Sequence, residues 1–152
     1  MSGRSLRIAA AEELNEYAAG HTTPASSTLT AVAESTRSWS EAAGVMMIDA
    51  HEGQLLRLLA ALVGAVRILE VGTFGGYSSL AMVEALPLEG HIDTLELDPA
   101  HAAKANEHIA QAGEQDRISV HLGVALDTLD RLEGPYDLAF IDADKSAYAE
   151  YY

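Results

Sequence analysis

The stretch from Arg67 to Leu80, RILEVGTFGGYSSL, constrains the fold of this chain more than any other. It opens as a short apolar run with Glu70 near its end, turns glycine-rich at Gly72, Gly75 and Gly76, and then reads as a helix start at Tyr77-Ser78-Ser79. Apolar run, glycines and helix in that order predict a strand–turn–helix unit of the kind that meets a nucleotide. Glycine lets backbone approach a ligand because no Cβ intervenes. The helix start offers unpaired N–H groups and the positive end of a dipole, so an anionic ligand group is expected there. The spacing does not spell G-x-G-x-x-G, and an ordinary tight βα turn is the competing reading.

The rest of the chain supplies the context. Leu6 to Ala19 is an alanine-rich helical pattern, broken at Gly20-His21-Thr22-Thr23-Pro24. Ser26 or Ser27 is expected to cap a second helix reaching Trp39, the only tryptophan and a candidate packing anchor. Gly44 to Ile48 reads as an apolar connector, and Asp49-Ala50-His51-Glu52 has the form of a capping box. Leu55, Leu56, Leu59, Leu62 and Val63 then recur at helical spacing. After Gly64 the period changes. Strands are predicted at 66–71, 91–96, 118–122 and 136–141, and helices at 78–86, 99–112 and 126–132. Asp98-Pro99 reads as a cap followed by proline at the first helical position. Strands alternating with helices of this length imply right-handed βαβ units and a parallel sheet, hence an α/β fold with helices on both faces.

Composition narrows the function. With 9 basic against 23 acidic residues the net charge is −14, which leaves no basic footprint for nucleic acid and disfavours an anionic membrane surface. Cysteine is absent, so disulfide and thiolate chemistry are out. No apolar run is long enough to span a bilayer, and a cytoplasmic location is expected.

Parallel sheets present ligands at the carboxyl ends of their strands, and here the first, second and fourth strands each end at or near an acid. Glu96 ends the second, 20 residues after Gly76, where a carboxylate can accept hydrogen bonds from ribose hydroxyls and repel a 2′-phosphate. The fourth runs into Asp142-Ala143-Asp144-Lys145. Oxygen ligands suit Mg²⁺ or Ca²⁺, and Lys145 could act as a base if its pKa were lowered. A solvated turn with an internal ion pair is the competing reading. The histidines offer little: His101 and His108 lie seven apart on one helix and are expected on a solvated face.

Taken together, Ile68–Leu80, Leu95-Glu96-Leu97-Asp98, Gly123-Val124-Ala125-Leu126, Phe140–Lys145 and Tyr148 resemble the cation-dependent O-methyltransferases, the caffeoyl-CoA and catechol O-methyltransferase-like enzymes that use S-adenosylmethionine. The resemblance extends upstream through Met46 and Glu52-Gly53-Gln54. It implies a Rossmann-like class I methyltransferase fold with about four of its strands in this chain. It implies cofactor contacts at Met46, Glu70, Gly72, Thr73, Ser78, Glu96, Ala125 and Asp144, a metal ligand at Asp142, and a general base at Lys145. Asp142 and Lys145 would then be the catalytic pair, with a divalent cation, Mg²⁺ or Ca²⁺, holding the acceptor. Ile48 departs from a polar residue seen in some relatives.

The expected reaction is methyl transfer to a hydroxyl of a small, phenolic or catechol-like acceptor. Residues 1–63 would form a helical cap and dimerisation segment, and 64–152 a partial cofactor-binding domain, within one structural domain; the expected partners are the small-molecule acceptor and a second copy in a homodimer, with neither nucleic acid nor membrane. Family members continue through three further strands, one bearing an Asp-Asn pair that completes the metal site, so the resemblance also implies a C-terminal truncation. The alternative function is a non-catalytic remnant that binds cofactor or dimerises; an NAD-dependent oxidoreductase is a third reading. In the usual strand order the fourth strand is a free edge without protective lysine or proline, and something is expected to cover it.

Overall fold

The structure, a computed structural model, describes residues 13–143 and 147–151. In chain order the elements are α1 (13–21), α2 (Ser27–Trp39), α3 (Ala43–Met46), α4 (Ala50–Val63), β1 (Arg67–Val71), α5 (Tyr77–Val83), β2 (His91–Glu96), α6 (Pro99–Ala112), β3 (Ile118–Leu122), α7 (Ala125–Leu129), β4 (Leu138–Ile141) and α8 (Tyr148–Tyr151). The expected helix from Leu6 begins outside the described residues.

Capping chemistry sets the helix starts. The Ser26 hydroxyl accepts from the Leu29 amide at 3.2 Å. At α4, Asp49 Oδ1 accepts from His51 and Glu52 while Glu52 Oε2 accepts from the Asp49 amide, which completes the box. Asp98 caps α6 through the Ala100 amide at 2.7 Å, with Pro99 at the first turn.

Several boundaries differ from expectation, among them α7, which ends at Leu129 instead of residue 132. α5 stops at Val83 instead of Leu86, because Arg117 Nη2 donates to the carbonyls of Val83, Leu86 and Pro87. Those carbonyls at a helix end would otherwise lack donors. β4 begins at Leu138 instead of Tyr136, because Asp137 Oδ2 instead accepts from the amides of Val66 and Arg67, both at 2.8 Å, and Tyr136 donates to Asp93 at 3.0 Å. The connector at Gly44 contains the short helix α3.

The four strands form one parallel sheet in the order β3-β2-β1-β4. Register places Ile68, Ile92 and Ile118 side by side, and alternation puts Glu70 and Thr94 on the same face, one step further along. Against that face pack Leu29, Val32 and Ala33 of α2, Leu56 and Ala60 of α4, Leu80 and Ala81 of α5, and Ala105 and Ile109 of α6. Close approach of α4 to α5 is permitted by Gly53, where a Cβ would lie 2.9 Å from the Tyr77 ring.

The opposite face carries a polar cluster. Asp93 accepts from His121 at 2.8 Å, from Tyr136, and more weakly from Arg67 at 3.4 Å. The Arg67 guanidinium lies over the Tyr136 ring, 4.6 Å from its centroid. Among the described residues no helix is long and apolar enough to cross a membrane.

Candidate functional site

β1, β3 and β4 each hand their ladder on to the residue just beyond them. Gly72 N donates to Leu95 O, Asp142 N to Val71 O and Gly123 N to Glu96 O, at 2.8–2.9 Å. The chain therefore leaves β1, β2, β3 and β4 in one row, where the next residues can converge. They border a cavity of about 490 Å³ at the carboxyl end of the sheet. Gly72 is essential to this arrangement. Its φ is +105°, and a Cβ would sit 2.6 Å from the Asp142 carbonyl oxygen.

The turn after β1 is held by Glu96. Its Oε2 accepts from the Phe74 amide at 2.7 Å, while Oε1 accepts from Leu97 and Asp98 at 2.8 and 2.9 Å. Phe74 is the one non-glycine residue with positive φ among those described, at +47°. That conformation costs on the order of 1 kcal/mol. The Glu96 bond and ring packing on Trp39 and His101 hold it in place, with centroids 5.9 and 4.8 Å away. Trp39, expected as a packing anchor, thus packs against Phe74 and His101, with 39% of its surface exposed.

Glu70 lies behind the wall. It is fully buried and accepts from the hydroxyls of Ser78, Ser79 and Thr94, the last at 2.5 Å. Thr94 in turn shares a hydrogen bond of 2.6 Å with Thr73. Burial pushes the Glu70 carboxyl above its ordinary pKa, the three hydroxyls oppose that, and the charge of Asp142 adds to it. Glu70 is not among the cavity's lining residues. It braces Ser78 and, through Thr94, Thr73, and these two do line the cavity.

The structure brings Met46, Gly72, Thr73, Ser78, Glu96, Ala125 and Asp142 to this one cavity. Asp144 and Lys145 lie outside the described residues. Asp142 is exposed at the mouth. Among the described residues no group of three or more His, Cys, Asp or Glu side chains could hold a metal ion.

The histidines overturn the expectation of a solvated face. His108 is fully buried: Nδ1 donates to the Gly75 carbonyl, and Nε2 pairs with Ser35 Oγ, both at 2.9 Å. It ties the glycine turn to α2. His101 is half-buried and lines the cavity. The cause is that the inner face of α6 packs on the turn itself, with Ala105 against Gly76. Short, small side chains at Ala102 and Ala105 were the available signal, since they mark the buried stripe on which His101 and His108 flank them.

Comparison with known proteins agrees with this geometry. A family profile described as O-methyltransferase matches residues 20–152. A catechol O-methyltransferase of Niastella koreensis is 45% identical over 109 residues, covering 69% of this chain and 49% of that protein. A caffeoyl-CoA O-methyltransferase of Eucalyptus globulus is 37% identical over 113 residues, covering 71% and 46%. The chain thus spans about half the length of the curated relatives it matches. Among solved structures, the SAH-bound methyltransferase PaMTH1 of Podospora anserina superposes with a TM-score of 0.89 at 33% identity, covering 93% of this chain and 61% of that one. TomG of Streptomyces achromogenes, an O-methyltransferase in complex with SAM, gives 0.82 at 36%, covering 91% and 63%. Profile, sequence relatives and superposed structures meet on one answer: the chain belongs to the O-methyltransferase family.

Proposed function

We propose that the cavity at the carboxyl ends of β1, β2 and β4 holds S-adenosylmethionine, and that the protein transfers its methyl group to a hydroxyl of a small phenolic or catechol-like acceptor. The observation that carries this reading is the convergence of Gly72, Glu96 and Asp142 on one cavity. The names of the relatives support the acceptor class, and the SAH- and SAM-bound neighbours support the cofactor.

The residues fit such a ligand. Gly72 lets an extended ligand lie against backbone, and Ser78 and Thr73 offer hydroxyls already oriented by the buried Glu70 network. Glu96 stands where a ribose would be recognised. Met46, Met47 and Ile48 supply an apolar wall that excludes water from the reacting end. The acidic mouth at Asp142 favours a cationic sulfonium over a neutral thioether. When bound, the cofactor supplies a methyl carbon whose bond to sulfur breaks as the acceptor oxygen bonds to it. The acceptor's proton passes to a base, the role proposed for Lys145, and Asp144 is proposed on the cofactor side.

A divalent cation, Mg²⁺ or Ca²⁺, belongs to the same proposal, with Asp142 as one ligand. Among the described residues no group of three or more His, Cys, Asp or Glu side chains gathers there, so no step is routed through the ion. The test is titration calorimetry with S-adenosylhomocysteine, run beside methylation of catechol with and without Mg²⁺. Binding with metal-dependent turnover is expected of the whole enzyme. Binding without turnover would favour the non-catalytic reading for this chain, and absence of binding would end the cofactor proposal.

A further inference from the structure

His108 is fully buried and is not among the residues that line the cavity, yet it holds a turn that does. Its ring joins two distant segments. The Gly75 carbonyl can only accept, so Nδ1 carries the proton. Nε2 of the neutral ring is then an acceptor, and the Ser35 hydroxyl donates to it. The hydrogen bonds run one way, from Ser35 on α2 through the imidazole on α6 to Gly75. Ser35 thereby keeps the Nδ1 proton on the side of the turn.

That proton fixes a peptide plane. The plane between Gly75 and Gly76 is held at both ends: the Gly75 oxygen accepts from His108, and the Gly76 amide donates to Thr73 O at 2.8 Å. The plane between Thr73 and Phe74 is held likewise, through Thr73 O and through the Phe74 amide on Glu96. Two glycines flank the first plane, so the backbone itself offers little resistance to its rotation. Packing blocks translation: Thr36 of α2 is fully buried, and a Cβ at Gly75 would lie 2.8 Å from its Oγ1. Rotation is left to the imidazole. Without it the buried Gly75 oxygen loses its donor and turns toward another.

We propose that His108 is a positioning residue for this turn: its Nδ1–H sets the orientation of the Gly75–Gly76 peptide, and Ser35 sets the ring that carries the proton. Thr73, Gly75 and Ser78 then meet a ligand in one arrangement. The inference rests on the cofactor reading above and goes beyond it by placing control of the turn in two side chains of α2 and α6.

The test compares two amides at position 108 of the 152-residue chain. The amide nitrogen of asparagine stands two bonds from Cβ, as Nδ1 does, and that of glutamine three bonds, as Nε2 does. His108→Asn therefore keeps a donor for Gly75 and gives up Ser35, whereas His108→Gln keeps a group at Ser35 and gives up Gly75. His108→Gln is expected to weaken S-adenosylhomocysteine binding by roughly three- to tenfold, the usual worth of one net hydrogen bond. It should also speed amide exchange at Gly76 in the ligand-free protein, beyond what urea unfolding assigns to global stability. His108→Asn, the smaller side chain, should lose at least as much stability and still keep wild-type affinity and Gly76 exchange. Affinity that follows stability instead of the Gly75 bond overturns the inference, as does unchanged binding in both variants. Circular dichroism checks the fold. If the position 108 variants do not fold, Ser35→Ala decides: faster exchange at Gly76, which Ser35 does not touch, supports the inference, and unchanged exchange overturns it. Failure of the wild type to bind S-adenosylhomocysteine overturns the cofactor reading, while Gly76 exchange still judges the turn. Wild-type binding with indifferent variants overturns this inference alone.

Discussion

Gly72 and Gly113 separate two costs that a side chain can carry. Both have positive φ, +105° and +77°, but a Cβ at Gly113 meets nothing within 4 Å, whereas one at Gly72 meets the Asp142 carbonyl at 2.6 Å. Gly113→Ala should therefore lose about 1 kcal/mol of stability from backbone strain alone. Gly72→Ala should lose more, because β1 and β4 must separate to admit the methyl group. Urea unfolding of the two variants measures the difference; equal losses would show that the close approach at Gly72 is not real. At the same scale, the role of Glu70 was only half legible in the sequence. Its place at the end of an apolar run was evident, but its partners Ser78, Ser79 and Thr94 come from two other elements. A buried carboxylate with three hydroxyl donors reads in sequence just like one that faces a ligand.

At the scale of elements, Asp137 joins the start of β1 to the start of β4 by accepting from Val66 and Arg67. Those backbone bonds hold its carboxyl below the ordinary 3.8. A carboxyl with a lowered folded-state pKa contributes stability that is present above its unfolded value and is lost as pH falls through the folded value. Thermal melts from pH 6 downward should show the wild type losing stability below about pH 4. Asp137→Asn should start less stable and lose less over the same range. A parallel decline in both proteins would assign the acid sensitivity to other groups. β4 carries a second prediction. Among the described residues it pairs with β1 alone, and Leu138-Ala139-Phe140-Ile141 has no lysine or proline to guard its other side. The chain should associate as its concentration rises, and Ala139→Lys, at an exposed position, should reduce that association in light scattering without lowering the melting temperature. Free amide exchange across 138–141 in a strictly monomeric solution would oppose the idea that this edge seeks a cover. The strand itself was legible because an apolar run between Gly134-Pro135 and Asp142 has few other readings. Its first two residues were misassigned because Tyr136 and Asp137 spend their side chains on Asp93 and on β1.

For the molecule as a whole, the cavity joins segments far apart in sequence: the apolar connector near Met46, the glycine turn, and the ends of β2, β3 and β4. A ligand that fills it should tie these together. S-adenosylhomocysteine at one hundred times its dissociation constant is expected to add about 2.7 kcal/mol to the unfolding free energy. Chemical denaturation with and without ligand measures this. An unchanged midpoint under saturating ligand would contradict binding to the folded state. The same long-range character explains what sequence reasoning missed. His108 reaches Ser35, 73 residues away, and Gly75, 33 residues away. Nothing in the local pattern of α6 announces either contact.

The amino-acid sequence by itself determined the alternation of strands and helices, the caps at Ser26, Asp49 and Asp98, and the glycine turn after β1. These depend on periodicity and turn chemistry within a few residues. Only the tertiary structure decided that Glu70 stands behind the cavity while Glu96 borders it, and that His101 faces the cavity instead of solvent. A side chain's type is local, but whether it meets a ligand or another side chain depends on which distant groups already hold its hydrogen-bonding positions.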